Sequence, residues 1–210
     1  MIRSVLFDFG GVVADEGFRE GLRAIALKNG LDPDRFFSRA RDLIYETGYV
    51  TGRVAEHVYW DAVRNATGIK GGDGELSDEI IRRFVIRPFI LKEADALRSQ
   101  SLEAAVLSDQ TDWLDRIDEK THFSDRFDRV FNSFHLGKSK RDPTLFDDVA
   151  AQLGRQPSEI LFIDDDPDNV ARAASRGWNA IAYGDVENLR RVLGRYLAEA
   201  PGRNELRGEP

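Results

Sequence analysis

The 210 residues, 41% of them hydrophobic, can bury a substantial core as one large domain or as a core with a small insert. A formal charge of −7 and a pI near 5.1 disfavour a general nucleic-acid binder, which needs a basic face. The absence of cysteine excludes disulfides, thiolate chemistry and cysteine-ligated zinc, and His57, His122 and His135 lie too far apart in sequence to form a metal motif.

The first element is the apolar run Val5, Leu6, Phe7, which lacks polar alternation and so suits a strand buried on both faces, as in a parallel sheet flanked by helices. It delivers Asp8 into the turn of Gly10 and Gly11. In open α/β sheets ligands bind just beyond the strand C-terminal ends, so Asp8 is placed either as a nucleophile or metal ligand or as a simple turn cap. Because MIRSVLFDF leads directly into this strand, no cleavable signal is expected; no apolar stretch approaches a membrane span, and the expected address is the cytoplasm.

The texture then becomes helical for about 75 residues. Phe18, Leu22, Ile25 and Ala26 recur at helical intervals, and Asp32 followed by Pro33 reads as an N-cap and first helical residue. Val54, Val58, Ala62 and Val63, then Ile80, Ile81, Phe84 and Val85, predict two more helices, with IKGGDGELSDE as a polar loop between them. Residues 15–90 are thus expected to form a helical insert. Within it Arg41, Tyr45, Glu46, Tyr49 and Arg53 surround the turn YETGYVTGR, either facing a pocket or serving as ordinary helix-end surface residues.

After a helix over residues 91–99, the run Ala104–Leu107 ends in Ser108 and Asp109. Lys140, with Lys138 two residues before it, precedes Leu145, Phe146, Val149, Ala150 and Leu153 at helical spacing. Ile160–Ile163 then empties into Asp164, Asp165 and Asp166, with Asn169 following. A late strand over 178–183 and an amphipathic helix over 186–197 complete the core (1–14 and 91–199), leaving residues 200–210 as a flexible tail.

Carboxylate, hydroxyl, lysine and acid cluster, in this order at strand exits, resemble the motifs of the haloacid dehalogenase-like hydrolase superfamily, in its capped, phosphatase-rich branch. The resemblance implies a doubly wound, Rossmann-like parallel α/β sheet with a small α-helical cap inserted after the first strand. It implies a phosphatase for a small phosphorylated substrate, with Mg2+ as cofactor and Asp8 as the nucleophile that forms an aspartyl-phosphate. Asp8, Gly10 and Asp165 would hold the metal, supported by Asp164 and Asn169; the order of Asp164 and Asp165 stays open. Ser108 and Lys140 would bind the transferring phosphoryl group, with Lys140 favoured over Lys138 because KRDPTLF fits the family pattern, and Gly10, Gly11 and Asp109 would line the substrate site. The implied protein acts as a monomer or homodimer, with no nucleic-acid or membrane partner.

One position departs from the branch. Most of its phosphatases carry a second aspartate two residues after the nucleophile, as general acid, where this chain has Gly10. Such an acid is worth ~100- to 10,000-fold in rate, so three readings follow. The first is a phosphatase that favours good leaving groups or recruits another acid, such as Asp15 or a water. The second is a 2-haloacid dehalogenase, whose halide needs no proton. The third is a non-catalytic module that binds phosphate or a partner.

Overall fold

The computed structural model describes residues 1–198, so the expected tail at 200–210 lies outside the described residues. Five parallel strands form the sheet: β1 (Ser4–Phe7), β2 (Glu103–Ser108), β3 (Arg129–Asn132), β4 (Ile160–Asp164) and β5 (Asn179–Ala182), in the order β3-β2-β1-β4-β5. The chain winds outward from β1 through β2 to β3 and then returns beside β1 as β4. The topological switch therefore lies at the carboxyl ends of β1 and β4, where a ligand crevice opens in such sheets.

Strand alternation divides the core in two. Val5 and Phe7 of β1 point to one face with Leu161 and Ile163, whereas Leu6 points to the other with Leu107, Phe146 and Phe162. All four β1 residues are buried, as the uninterrupted apolar run requires. The registers Phe7↔Val106 and Phe7↔Ile163 level the ends of β2, β1 and β4, so the residues that follow emerge side by side.

Between β1 and β2 the chain forms α1 (Gly17–Lys28), α2 (Pro33–Glu46), α3 (Glu56–Thr67), α4 (Asp73–Ile81) and α5 (Pro88–Ser99). The Asp32 side chain caps α2, accepting from the backbone N–H groups of Asp34 (3.0 Å) and Arg35 (2.8 Å) ahead of Pro33. A bridge between Ala14 and Ile86 closes the neck of the inserted helices, and the Arg87 backbone donates to Val13 O at 2.8 Å. The Arg87 guanidinium also donates to Asp15 at 2.9 Å and to the Gly11 carbonyl, tying the neck to the turn after β1.

Two details of the insert differ from the sequence pattern. Residues 73–79, expected within a loop, join Ile80 and Ile81 in α4, which ends before Phe84 and Val85 of the expected helix, because Leu76, Ile80 and Ile81 are buried and tertiary packing outweighs the glycines before them. In α3 the buried side is Tyr59, Trp60 and Val63 rather than a stripe through Val58, which is exposed, as is Val85 beyond α4.

The remaining helices are α6 (Trp113–Thr121), α7 (Ser133–Leu136), α8 (Thr144–Leu153), α9 (Pro167–Ser175) and α10 (Val186–Ala198). Trp113 welds the insert to the sheet layer: its ring stacks on Trp60 at 5.9 Å and meets Tyr49 edge-on at 5.6 Å, and its indole N–H donates to Glu56 at 2.6 Å. Among the described residues no helix is long and apolar enough to cross a membrane.

Candidate active site

Four segments meet at the carboxyl edge of the sheet around a cleft of about 820 Å3. Asp8 leaves β1 with one carboxylate oxygen accepting from the Phe9 N–H at 2.7 Å, and Lys140 donates to the same oxygen at 2.7 Å. The lysine ammonium also reaches Asp164 at 2.6 Å and lies 5.4 Å from the Phe162 ring centroid. Lys140 is 1% exposed, which a long cation tolerates only between such partners. Burial by itself would lower its pKa, but Asp164, Asp8 and Asp109 outweigh that and hold it firmly as an ammonium. Lys138, by contrast, is half-exposed, pairs with Asp148 and does not line this cleft.

Burial pushes the Asp8 carboxyl well above the usual carboxylate range; Lys140 pulls it down, while Asp164 and Asp165 add repulsion. Carboxylate oxygens of Asp8, Asp164 and Asp165 all lie within 4.8 Å of one another. One ammonium does not balance three carboxylates at that spacing, so this oxygen-only donor set fits a hard divalent cation.

The three consecutive aspartates have different partners. Asp164 is fully buried and its lone pairs are taken: it accepts from Lys140, from the Asp166 N–H at 2.8 Å and from the Asn169 amide at 3.3 and 3.2 Å. Asp166 caps α9 by accepting from the Asp168 N–H at 2.9 Å, with Pro167 as first helical residue. Asp165 and Asp166 both border the cleft, and the Asp165 carboxyl is raised by burial and by Asp164. Gly11 makes room for it: with φ +81°, a Cβ there would lie 2.2 Å from Asp165 Oδ2.

Ser108, 2% exposed at the end of β2, borders the cleft, and its hydroxyl bonds to no other described residue. Asp109 accepts from the Lys140 backbone N–H at 2.7 Å and from the Tyr45 hydroxyl at 3.1 Å, so it joins the lysine loop to the insert. Burial raises its carboxyl, opposed by Lys140. Of the insert residues around the glycine-marked turn, Arg41 and Tyr45 face the cleft, whereas Glu46 pairs with Arg39 at 2.9 Å and Tyr49 is buried and donates to Asp112 at 2.5 Å.

Two residues important to the site were not legible as such. Asp15, a candidate acid, is exposed and held by Arg87, and it does not line the Asp8 cleft. The neighbouring Glu16 does: its Oε2 lies 3.1 Å from where a Cβ on Gly10 would stand, and its Oε1 accepts from the Arg19 N–H at 3.0 Å. Burial raises its carboxyl, the Arg19 N–H lowers it, and Asp165 raises it further. The second is Arg141, directly after Lys140, whose guanidinium sits 3.4 Å from the Tyr45 ring centroid. The sequence signal for Glu16 is its place at the start of a helix after the Asp8 turn; Arg141 has none.

The haloacid dehalogenase-like hydrolase model matches residues 2–177, and the chain belongs to that hydrolase family. Enolase-phosphatase E1 of Sulfurihydrogenibium is 31% identical over 139 residues, covering 66% of this chain and 49% of that protein. The chain spans 40%, 24% and 49% of the length of three curated relatives it matches. The HAD family enzyme BT-2542 of Bacteroides thetaiotaomicron, solved with magnesium and inorganic phosphate, superposes with a TM-score of 0.71 at 22% identity, over 90% of this chain and 99% of that one. L-2-haloacid dehalogenase of Xanthobacter autotrophicus superposes with a TM-score of 0.65 at 22% identity, over 93% and 83% of the two chains. Likeness at these identities is a likeness of fold, and it agrees with the parallel five-stranded sheet.

Proposed function

We propose that the protein is a magnesium-dependent phosphatase acting on a small phosphorylated metabolite through an aspartyl-phosphate on Asp8. The observation that carries this reading is the Lys140 ammonium shared between Asp8 (2.7 Å) and Asp164 (2.6 Å) beside Ser108 on the cleft floor. A carboxylate at a strand tip, an adjacent fixed cation and an unengaged hydroxyl together suit phosphoryl transfer.

Asp8 and Asp165, with the Gly10 carbonyl, would hold magnesium, while Asp164 and Asn169 keep Lys140 and the cluster in place. When bound, the ion supplies positive charge that offsets the repulsion between Asp8 and a phosphate dianion. The free Asp8 oxygen forms the new P–O bond as the ester P–O bond breaks. Lys140 and Ser108 donate to the equatorial oxygens throughout. Glu16 gives its proton to the departing alkoxide, then takes one from the water that attacks phosphorus and frees Asp8 as a carboxylate. The inserted helices act as a cap over this chemistry and limit the entry of water.

The decisive experiment measures phosphate release with magnesium from aryl, anomeric and alkyl phosphates by the wild type and by Asp8→Asn. Turnover that depends on both magnesium and Asp8 is expected; equal turnover by Asp8→Asn would remove the covalent mechanism. A dehalogenase is the second reading, favoured by Gly10 because halide departs without a proton, and opposed by the three clustered carboxylates. Halide release from 2-chloropropionate without magnesium would reverse the order.

A further inference from the structure

The cleft lining carries both signs of charge. Asp8, Glu16, Asp109, Asp165, Asp166 and Asp168 supply carboxylates, whereas α1, α2 and the loop after Lys140 supply Arg19, Arg41 and Arg141. Phe37, Arg41 and Tyr45 stand four residues apart on α2 and form one stripe on the cleft side. The rings of that stripe hold the guanidinium groups: Arg19 and Arg41 lie 5.1 and 5.5 Å from the Phe37 centroid, and Arg141 lies 3.4 Å from that of Tyr45. Stacking fixes the plane of a guanidinium without using any of its five N–H donors.

Those donors have little to bind within the protein. Arg19 and Arg141 have no carboxylate within 4 Å among the described residues, and Arg41 meets only Asp42, at 3.5 Å. Many arginines outside the cleft find partners, as Arg116 does with Asp78 at 2.9 Å and Arg176 with Asp147, although Arg3, Arg35 and Arg53 also meet no carboxylate among the described residues. Arg172, which also borders the cleft, is already engaged by Asn169 at 2.9 Å. Three oriented guanidinium groups, two without a carboxylate partner and one with only a long contact to Asp42, thus line a space large enough for a metabolite.

We infer that Arg19, Arg41 and Arg141 form a second anion subsite, so that the substrate is a phosphomonoester bearing a further carboxylate or phosphate at the end opposite its scissile group. This rests on the phosphatase reading only for which anion is cleaved. Phe18, Phe37 and Ile44 line the same wall, so the part of the substrate between its two anions contacts apolar and aromatic surface. A neutral alkyl phosphate leaves all three guanidinium groups unmatched. A substrate with two anions gains charge-assisted, bidentate hydrogen bonds.

The test is calorimetric binding of unhydrolysable phosphonates to the full chain with magnesium. Alkylphosphonates are compared with ω-carboxyalkylphosphonates and α,ω-bisphosphonates of two to five methylenes. In the wild type, one chain length of a doubly anionic series should bind about 10- to 100-fold more tightly than its neutral counterpart. Whether the carboxylates or the bisphosphonates show the larger gain identifies the second group. Arg19→Gln/Arg41→Gln and Arg141→Gln should shrink that ratio at least tenfold and tenfold or less, respectively, while thermal melts report whether each variant is folded. No preference at any length in the wild type, or an undiminished preference in both folded variants, overturns the subsite. Loss of the phosphatase reading has a different signature: a doubly anionic preference in binding together with no phosphate release from the matching phosphate esters.

Discussion

Glu16→Gln tests how a site with Gly10 protonates its leaving group. The change keeps the shape of the side chain and an oxygen that can accept from the Arg19 N–H, but it removes the transferable proton. Glu16 Oε2 lies within 3.1 Å of the position a Cβ on Gly10 would take, so its carboxyl occupies the region that an acid on the turn itself would reach. A positioned general acid is worth ~100- to 10,000-fold, or roughly 3 to 5 kcal/mol of barrier, for an alkoxide that leaves poorly. The assay is kcat/KM for a simple alkyl phosphate beside p-nitrophenyl phosphate. Glu16→Gln should slow the alkyl ester by about 100-fold or more and the aryl ester by less than about tenfold, since nitrophenolate needs little protonation. Equal losses on both esters, or none on either, would refute the assignment.

Stability supplies an independent readout. Burial raises the Glu16 carboxyl above its value in an unfolded chain. Its contribution to folding is therefore most favourable below the ordinary carboxyl range and declines as pH rises through its elevated folded value. Gln carries no such penalty, so the thermal midpoint of the variant should exceed that of the wild type at pH 8 and converge with it near pH 4. A double-mutant cycle closes the argument: Gly10→Asp alone crowds Glu16, Glu16→Ala alone removes the donor, and the two together should recover part of the alkyl-phosphate activity.

Gly11→Ala places a methyl 2.2 Å from Asp165 Oδ2 at a φ of +81°; it should weaken magnesium binding about 10- to 100-fold in a titration and cost roughly 1–2 kcal/mol of stability, and unchanged magnesium affinity would free Asp165 from its assigned role. Trp113→Ala empties the aromatic seam shared with Trp60 and Tyr49 and should cost about 3–5 kcal/mol in urea unfolding, in a single transition because the insert and the sheet layer share that seam; two separated transitions would argue that they fold independently. Burial would raise Glu79, but hydrogen bonds from Arg83, Lys28 and Arg82 prevail and hold it down to about 2. Glu79→Gln should therefore cost about 1–2 kcal/mol at pH 7, discounted because Lys28 and Arg82 are more than half exposed, and the deficit should fade as pH drops from about 4 towards 2; a deficit independent of pH would place the effect in packing instead.

The strand exits could be read because their signal is local. An apolar run that ends in a polar residue places that residue at the sheet edge whatever the rest of the chain does, and Asp8, Ser108 and Asp164 all lie there. Helices with their own caps were equally legible, as at Asp32 and Pro33. Other features depend on contacts distant in sequence. α4 begins at Asp73, within the stretch where glycines suggested a loop, because Leu76 joins Ile80 and Ile81 in filling a core. The separate surroundings of Asp164, Asp165 and Asp166 follow from tertiary contacts: Asp164 meets Lys140, Asp165 borders the cleft without capping a helix, and Asp166 borders it while capping α9. The place of Glu16 depends on the neck at Ala14 and Ile86, which brings the start of α1 back over the turn after β1.

With Glu16 as the proposed proton donor, the insert would control more than access to the cleft. An acid on the turn after the nucleophile moves with the sheet, and its distance to the leaving oxygen is fixed with Asp8. Glu16 precedes α1, and α1 with α2 also carries Arg19 and Arg41, so the donor and two of the guanidinium groups belong to one packed unit. A substrate whose distal anion engages those arginines pulls on the elements that set Glu16 against Gly10. Binding energy far from phosphorus can in this way improve proton transfer at the ester oxygen, and a substrate lacking the distal anion should lose kcat as well as affinity. The glycine at position 10 is then part of the design: any larger side chain there would compete for the space from which Glu16 acts.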